Sequence, residues 1–350
     1  MISRKIIIIG TGVLDIPPEG YGGVERYIFG LAKSLEERGN KVEIVSKVFS
    51  RAPEFIRHLL FSFYLGLSSR KLKDKIIHVN TPLAAICINM LGFDYIYTTH
   101  SRYWFHSPSI IKSLLHSLDI LAVAMSTITI APSDRLKNKI NSSAFKPPIV
   151  TFIPPGIYVS DARFHVSRRK ELVIGFGAVI REKRFDILAE ATKTLRYEVL
   201  IIGPIKDEHL KDELLEINPR IQFLGELTDD GINELLSKAR VLVHEADSEL
   251  LPVTPLSAMA YGVPVIGSSE IADLIMDGKD GFIIPSNLEY LERVNLTSRY
   301  LHILMENDTV WQKFSSTAVV DVASRFSWKT IGKKVESVYS LFEEIINGEK

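Results

Sequence analysis

Residues 20–23, GYGG, stand just before a helical pattern in which Val24, Ile28, Leu31 and Leu35 recur at three- to four-residue spacing. Gly22 and Gly23 there would let backbone N–H groups face a ligand, and a helix start favours negative charge, which suits a phosphate. The other reading is a plain flexible turn. The preceding GTGVLD, residues 10–15, opens like a dinucleotide fingerprint. Its third glycine is missing, Pro17 and Pro18 delay the helix, and KVEIVSK lacks the usual acid at the end of its strand, which argues against a nicotinamide enzyme. No D-x-D pair or His/Asp ligand cluster occurs, so neither a metal nor another cofactor is expected. Three further residues lie at candidate strand ends or just beyond them: His100 after YIYTT, Lys183 in REKRFD and Glu249 in ADSELLPV. Taken singly, each also reads as structural: a hydrogen-bonding histidine, a solvated lysine and a first-turn acid that complements a helix dipole.

The elements that would position these groups alternate along the chain. In the first half, strand-like runs occur at residues 5–10, 41–46, 75–80, 95–100, 127–132 and 149–154. Several are continuously apolar, as expected of parallel strands covered on both faces. A polar, turn-rich stretch around residue 165 interrupts the pattern, which then resumes at 172–179, 198–203, 221–226, 240–245 and 264–269. RFDILAEATKTL and DDGINELLSKA read as helices between them, and SWKTIGKKVESVYSLFEEII as a long amphipathic terminal helix. The expected organisation is two doubly wound α/β domains, 1–165 and 166–325, followed by a helix over 326–350. Two such domains facing a central cleft would place a ligand at the carboxyl ends of their strands.

Composition bounds the partners. The 350 residues carry 42 Lys+Arg and 42 Asp+Glu, yet residues 1–165 hold 20 against 12 and the remainder 22 against 30. A basic front half suits an anionic partner such as phosphate or an acidic membrane surface, or is simply scattered surface charge. No nucleic-acid-binding motif is present. The single Cys87 excludes an internal disulfide and suggests a reducing, cytoplasmic setting. No run is long and apolar enough to be a leader or a membrane span, so a soluble chain is expected. In PEFIRHLLFSFYLGLSSRKLKDK, an apolar stripe of Ile56, Leu59, Leu60, Phe63 and Leu67 precedes Arg70, Lys71, Lys73 and Lys75. Such a stripe either packs on its own sheet or docks peripherally on an anionic bilayer, for instance at the inner membrane face.

Nearly the whole chain resembles the retaining nucleotide-sugar glycosyltransferases of family 4, which have the GT-B fold. GYGGVERYIFGLAKSLEERGNKVEIVS is similar to their N-terminal signature. IIHVN, YTTHSRYW and TITIAPSDRLK are similar to the strand ends that follow, and FIPPGIYVS to their interdomain turn, with Pro155 where Asn is usual. GFGAVIREKRFDILAEA is similar to their G-R-x4-K-G segment, and the stretch from IQFLGEL to VIGSS to their most diagnostic region.

The resemblance implies transfer of a sugar from a nucleotide-diphosphate sugar to an acceptor hydroxyl, on a glycan, a lipid-linked acceptor or a small molecule. It implies retained configuration, no metal, and a terminal helix returning to the first domain. By the same resemblance His100 would contact the transferred sugar or its phosphate, Lys183 would neutralise the diphosphate, and Glu249 would touch the donor sugar as the first acid of E-x7-E. Leu251, Pro252 and Val253 would belong to the loop holding that sugar.

Departures accompany these matches. Ser257 stands where the second glutamate, the ribose ligand, is usual; Ala178 replaces an arginine, and Pro252 a glycine. Arg181 and Arg184 are candidates to replace the missing guanidinium. These departures keep open a weak or inactive glycosyltransferase-like binding protein, and a phosphosugar isomerase of similar architecture is the third reading.

Overall fold

The computed structural model describes residues 3–18, 22–49, 52–100, 110–159, 171–249 and 253–348. Two compact units form: Met1–Gly156 with Trp328–Lys350, and Ile157–Ser327. Each contains a six-stranded parallel sheet, so the doubly wound α/β reading describes both.

The first sheet comprises β1 (Lys5–Ile9), β2 (Lys41–Val45), β3 (Ile76–Val79), β4 (Ile96–Thr98), β5 (Ile128–Ala131) and β6 (Ile149–Phe152), in the order β2-β1-β3-β4-β5-β6. Ile6 to Ile9 are all buried, which explains a run with no polar alternation: helices cover both faces. On one face lie α1 (Gly23–Glu37) and the terminal α12 (Trp328–Gly348), packed together. Tyr27, Ile28, Leu31 and Leu35 share their core with Ile331, Val335, Tyr339 and Phe342. Charged and polar groups pin the same helix: Arg38 pairs with Glu336 at 2.5 Å, and Ser34 Oγ donates to the Trp328 carbonyl at 2.7 Å. The helices α2 (Glu54–Leu67), α3 (Pro82–Met90), α4 (Ile110–Met125) and α5 (Asp134–Asn141) complete this unit.

The second sheet comprises β7 (Leu172–Phe176), β8 (Glu198–Ile202), β9 (Ile221–Gly225), β10 (Val241–His244), β11 (Val265–Ser268) and β12 (Gly281–Ile284), in the order β12-β11-β10-β7-β8-β9. Its helices are α6 (Phe185–Thr192), α7 (Glu208–Ile217), α8 (Asp229–Lys238), α9 (Val253–Ala260), α10 (Tyr290–Glu306) and α11 (Asp308–Arg325). Several start where a side chain accepts an orphan N–H: Asp207 from Leu210, Thr228 from Gly231 and Asn307 from Val310.

Two differences from the sequence reading stand out. The twelfth strand, GFII, is four residues long and follows a glycine-rich turn, so it gave no periodic signal. The stripe on α2 does not pack on the sheet. Phe61 and Leu65 are buried there, while Ile56, Leu59, Leu60, Phe63 and Leu67 are exposed. A helix apolar all round hides from periodicity which face is inside.

Candidate functional site

In a doubly wound sheet, neighbouring strands whose connections leave in opposite directions open a crevice beyond their carboxyl ends. In the second unit that switch falls between β7 and β10, because β8 and β9 extend one way and β11 and β12 the other. Lys183 follows β7 in a 3-10 turn, Arg181–Lys183, and Glu249 follows β10 by five residues. The two side chains meet there: Lys183 Nζ donates to Glu249 Oε2 at 2.6 Å. His244 Nε2 donates to the same oxygen at 2.9 Å, from the last residue of β10.

Local backbone makes room for this. Gly177 has φ +151, and a Cβ there would come within 3.2 Å of Lys183 Cε, so the lysine stem lies over bare backbone. Gly203, at φ +136, sits against the Gly177 carbonyl, which a Cβ would approach to 2.2 Å. Both positions need glycine.

Electrostatics follow burial and partner. Burial alone would push the Glu249 carboxyl up, but the Lys183 ammonium and then His244 outweigh it and hold it down at about 2. His244 is lowered by burial, with Glu249 opposing, so its imidazole is neutral. The result is an ammonium whose partner is a fully ionised carboxylate, at the edge of the sheet where ligands bind. Such a group can exchange that carboxylate for an incoming phosphate oxygen.

The other expected residues fall around this pair. Arg181 lies apart, its side chain 64% exposed and its guanidinium held by both oxygens of Glu213, at 2.6 and 3.0 Å. Arg184 takes the left-handed conformation at φ 50 and binds Asp186 at 3.0 Å and Asp247 at 3.3 Å. A non-glycine residue held there stores backbone strain, which collects at functional sites. Val253 is the first residue of α9 and Ser257 lies one turn on; both are half-buried. Leu251 and Pro252 lie outside the described residues.

A supporting network was not legible in sequence. Arg293, on α10, is buried and donates to Glu245 Oε2 at 2.9 Å, to the Glu245 carbonyl at 2.8 Å and to Asp247 Oδ1 at 3.0 Å. The Asp247 amide in turn donates to the Glu182 carbonyl at 2.9 Å. The turn carrying Lys183 and the loop carrying Glu249 are thus laced together through Asp247. The only sequence cue was an acid-rich segment, HEADSE, directly after a strand.

The first unit has its switch between β1 and β3. Asn80, just past β3, donates through Nδ2 to the Ile9 carbonyl at 3.2 Å and accepts from His100 Nε2 at 3.0 Å. Tyr27 meets the His100 ring edge-on at 5.3 Å. Because Nε2 donates, Nδ1 carries the lone pair; it is buried and has no hydrogen-bond partner among the described residues. Burial, then the neighbouring His78, push this imidazole down to about 3. Neutral His100 therefore keeps a buried acceptor that no described residue fills.

Gly22 caps α1 without a side-chain bond, and a Cβ at Gly23 would meet nothing within 4 Å. Glu25, buried in the first turn of α1, accepts from Thr11 Oγ1 at 2.5 Å and so already supplies negative charge to the helix start. Among the described residues no three His, Cys, Asp or Glu side chains cluster as a metal cage.

Comparison with known proteins decides the family. A model for "Glycosyltransferase Family 4" matches residues 21–161, and one for "Glycosyl transferases group 1" matches residues 170–295, so the two account for 141 and 126 of the 350 residues. The chain belongs to the group 1, family 4 glycosyltransferases.

A sulfoquinovosyl transferase of Arabidopsis thaliana is 25% identical over 76% of this family member and 56% of its own length. An uncharacterised glycosyltransferase of Methanocaldococcus jannaschii is 22% identical over 95% of the chain and 97% of its own length. The chain thus spans about half the length of the Arabidopsis relative. Among solved structures, a sucrose-phosphate synthase from Thermosynechococcus elongatus superposes with TM-score 0.81 at 16% identity, covering 98% of this chain and 100% of its own. The Anabaena protein HepE, solved with UDP-glucose, gives 0.74 at 17%, covering 96% and 99%. These likenesses show the fold, which is the GT-B class of two parallel α/β domains.

Proposed function

We propose that this chain transfers a sugar from a nucleoside-diphosphate donor to an acceptor hydroxyl, with retained configuration and without a metal. The observation that carries the reading is the Lys183–Glu249–His244 constellation at the switch point of the second sheet. In the reaction the bond between the anomeric carbon and the diphosphate oxygen breaks, and the acceptor oxygen bonds to the same face. The hydroxyl proton leaves with the departing diphosphate. Lys183 stabilises the charge developing on that diphosphate, the task a divalent ion performs elsewhere. Glu249, once released from the ammonium, is an acceptor for a donor-sugar hydroxyl. HepE was solved with UDP-glucose, which makes a uridine donor the first to try. The acceptor is a glycan, glycolipid or small molecule bearing a free hydroxyl.

A second reading has a specific observation behind it. Lys183, Arg181 and Arg184 are each paired with carboxylates, and Ser257 and Ala178 supply no charge. A diphosphate must displace one of those carboxylates, which favours weak donor binding and a binding protein over an efficient enzyme.

Calorimetry with UDP, GDP and dTDP, followed by mass-spectrometric turnover of the matching sugar nucleotides, separates the two. Binding with turnover that disappears in Glu249→Ala supports the transferase. Binding with no turnover on any donor supports the second reading, and no nucleotide binding removes both.

A further inference from the structure

The outer face of α2 is apolar where a soluble surface is ordinarily polar. Ile56, Leu59, Leu60, Phe63 and Leu67 recur at helical spacing and all are exposed, Phe63 to 69% and Leu67 to 73%. The core-facing positions are taken by Phe61 and Leu65, and among the described residues the stripe itself stays exposed. Scattered exposed leucines need no explanation, but a contiguous set on one helix marks an interaction surface.

The patch continues beyond α2. This helix packs on α3, and α3 on α4. Helices linking parallel strands run back against them, so their C-termini gather at the edge where the strands begin. Leu67, Met90 at 80% exposure and exposed Leu91 all belong to that edge. The 3-10 turn Ser69–Leu72 follows α2 at the same edge, and exposed Arg70 and Lys71 there are succeeded by exposed Lys73. Asp74 and Asp94 are the exposed acids nearby in sequence, and neither α2 past Phe55 nor α3 contains an acid. Asn80 and His100, which follow β3 and β4, belong to the opposite, carboxyl edge.

Charge selects the occupant. Residues 1–156 with 328–350 hold 23 Lys+Arg against 15 Asp+Glu. A second copy docking here would bring two such basic units, and two sets of Arg70, Lys71 and Lys73, together against repulsion. An anionic bilayer instead meets both features: acyl chains for Phe63 and Leu67, headgroups for the basic turn. Among the described residues no helix is long and apolar enough to cross a membrane, so contact would be interfacial.

We propose that the first unit seats on the surface of an anionic bilayer through the outer face of α2, the end of α3 and the basic turn at 69–73. Phe63, Leu67, Met90 and the basic turn then gather toward the edge opposite Asn80 and His100. It does not depend on which donor the second unit takes.

The test is vesicle flotation of the full chain with phosphatidylcholine alone and with mixed phosphatidylcholine–phosphatidylglycerol vesicles. The wild type is expected to float with the anionic vesicles only, and less as salt rises. Phe63→Ser with Leu67→Ser, and separately Arg70→Glu with Lys71→Glu, are each expected to lower partitioning about tenfold or more. Unchanged thermal unfolding of both pairs confirms that they fold. The proposal is overturned if the wild type does not float, or if either pair floats as well as the wild type. It is also overturned if sedimentation shows a dimer that the serine pair abolishes while vesicles recover nothing.

Discussion

Lys183 and Glu249 are 66 residues apart in sequence and 2.6 Å apart in space, because β7 and β10 are hydrogen-bonded neighbours. The ammonium is therefore engaged before any ligand arrives. Replacing Lys183 by Ala removes a charge-assisted contact of roughly 1.5–3 kcal/mol, and is expected to weaken binding of the best nucleoside diphosphate by about 10- to 150-fold. Glu249→Gln instead frees the ammonium, so that diphosphate should bind as well as or better than to the wild type while sugar transfer falls. Calorimetry on both variants checks this; equal losses of diphosphate affinity in the two would show that Glu249 does not compete for Lys183.

Arg293 and Glu245 are both buried, and the guanidinium makes two contacts to one carboxylate oxygen, at 2.9 and 3.1 Å. Removing one member of a buried pair strands the other, at a cost of about 3–5 kcal/mol. Arg293→Met is expected to destabilise the second unit by that amount in urea, and Arg293→Met with Glu245→Met to recover most of it. A double variant as unstable as the single one would locate the loss in packing.

Asp280 is fully buried; its Oδ1 accepts the Met276 N–H at 2.8 Å while Oδ2 makes no hydrogen bond among the described residues. Burial, the main cause, outweighs that backbone bond and, with Asp321 nearby, pushes the carboxyl up to about 7. The folded chain therefore holds a proton that the unfolded chain has lost. This contribution is fully present below the ordinary carboxyl value and fades as pH rises through about 7. Asp280→Asn keeps the acceptor for Met276 and has nothing to ionise. Melting curves from pH 5 to 8 should show it gaining roughly 2–4 °C over the wild type at the alkaline end. Parallel curves at every pH would contradict the assignment.

Trp328 opens α12 between two glycines. A Cβ at Gly30 would come within 2.2 Å of the indole, and one at Gly156 within 2.4 Å. Gly30→Ala and Gly156→Ala should each cost about 1–3 kcal/mol through overpacking, and Trp328→Ala about 3–5 kcal/mol. If the indole is the shared cause, either glycine substitution should cost much less in a Trp328→Ala background. Equilibrium unfolding of the singles and doubles measures it.

How much of this was legible beforehand follows from how local each signal is. Eleven strands are legible as apolar runs, since a parallel strand covered on both faces must be apolar regardless of its neighbours. Lys183 and Glu249 are nameable from motif position alone, while their contact is not. His244, Arg293 and Asp247 are not nameable, because an ordinary strand-end histidine, helical arginine and loop aspartate carry no pattern of their own. Which stripe of α2 faces outward was equally hidden, as both sides of that helix are apolar. Local patterns sufficed for two α/β units and for the residue types at their strand ends, because periodicity and glycine placement act over a few residues. Strand order came from tertiary packing alone, and with it the switch points that bring Lys183 to Glu249 and His100 to Asn80. Strand neighbours are chosen by the packing of whole layers, a property no short window contains.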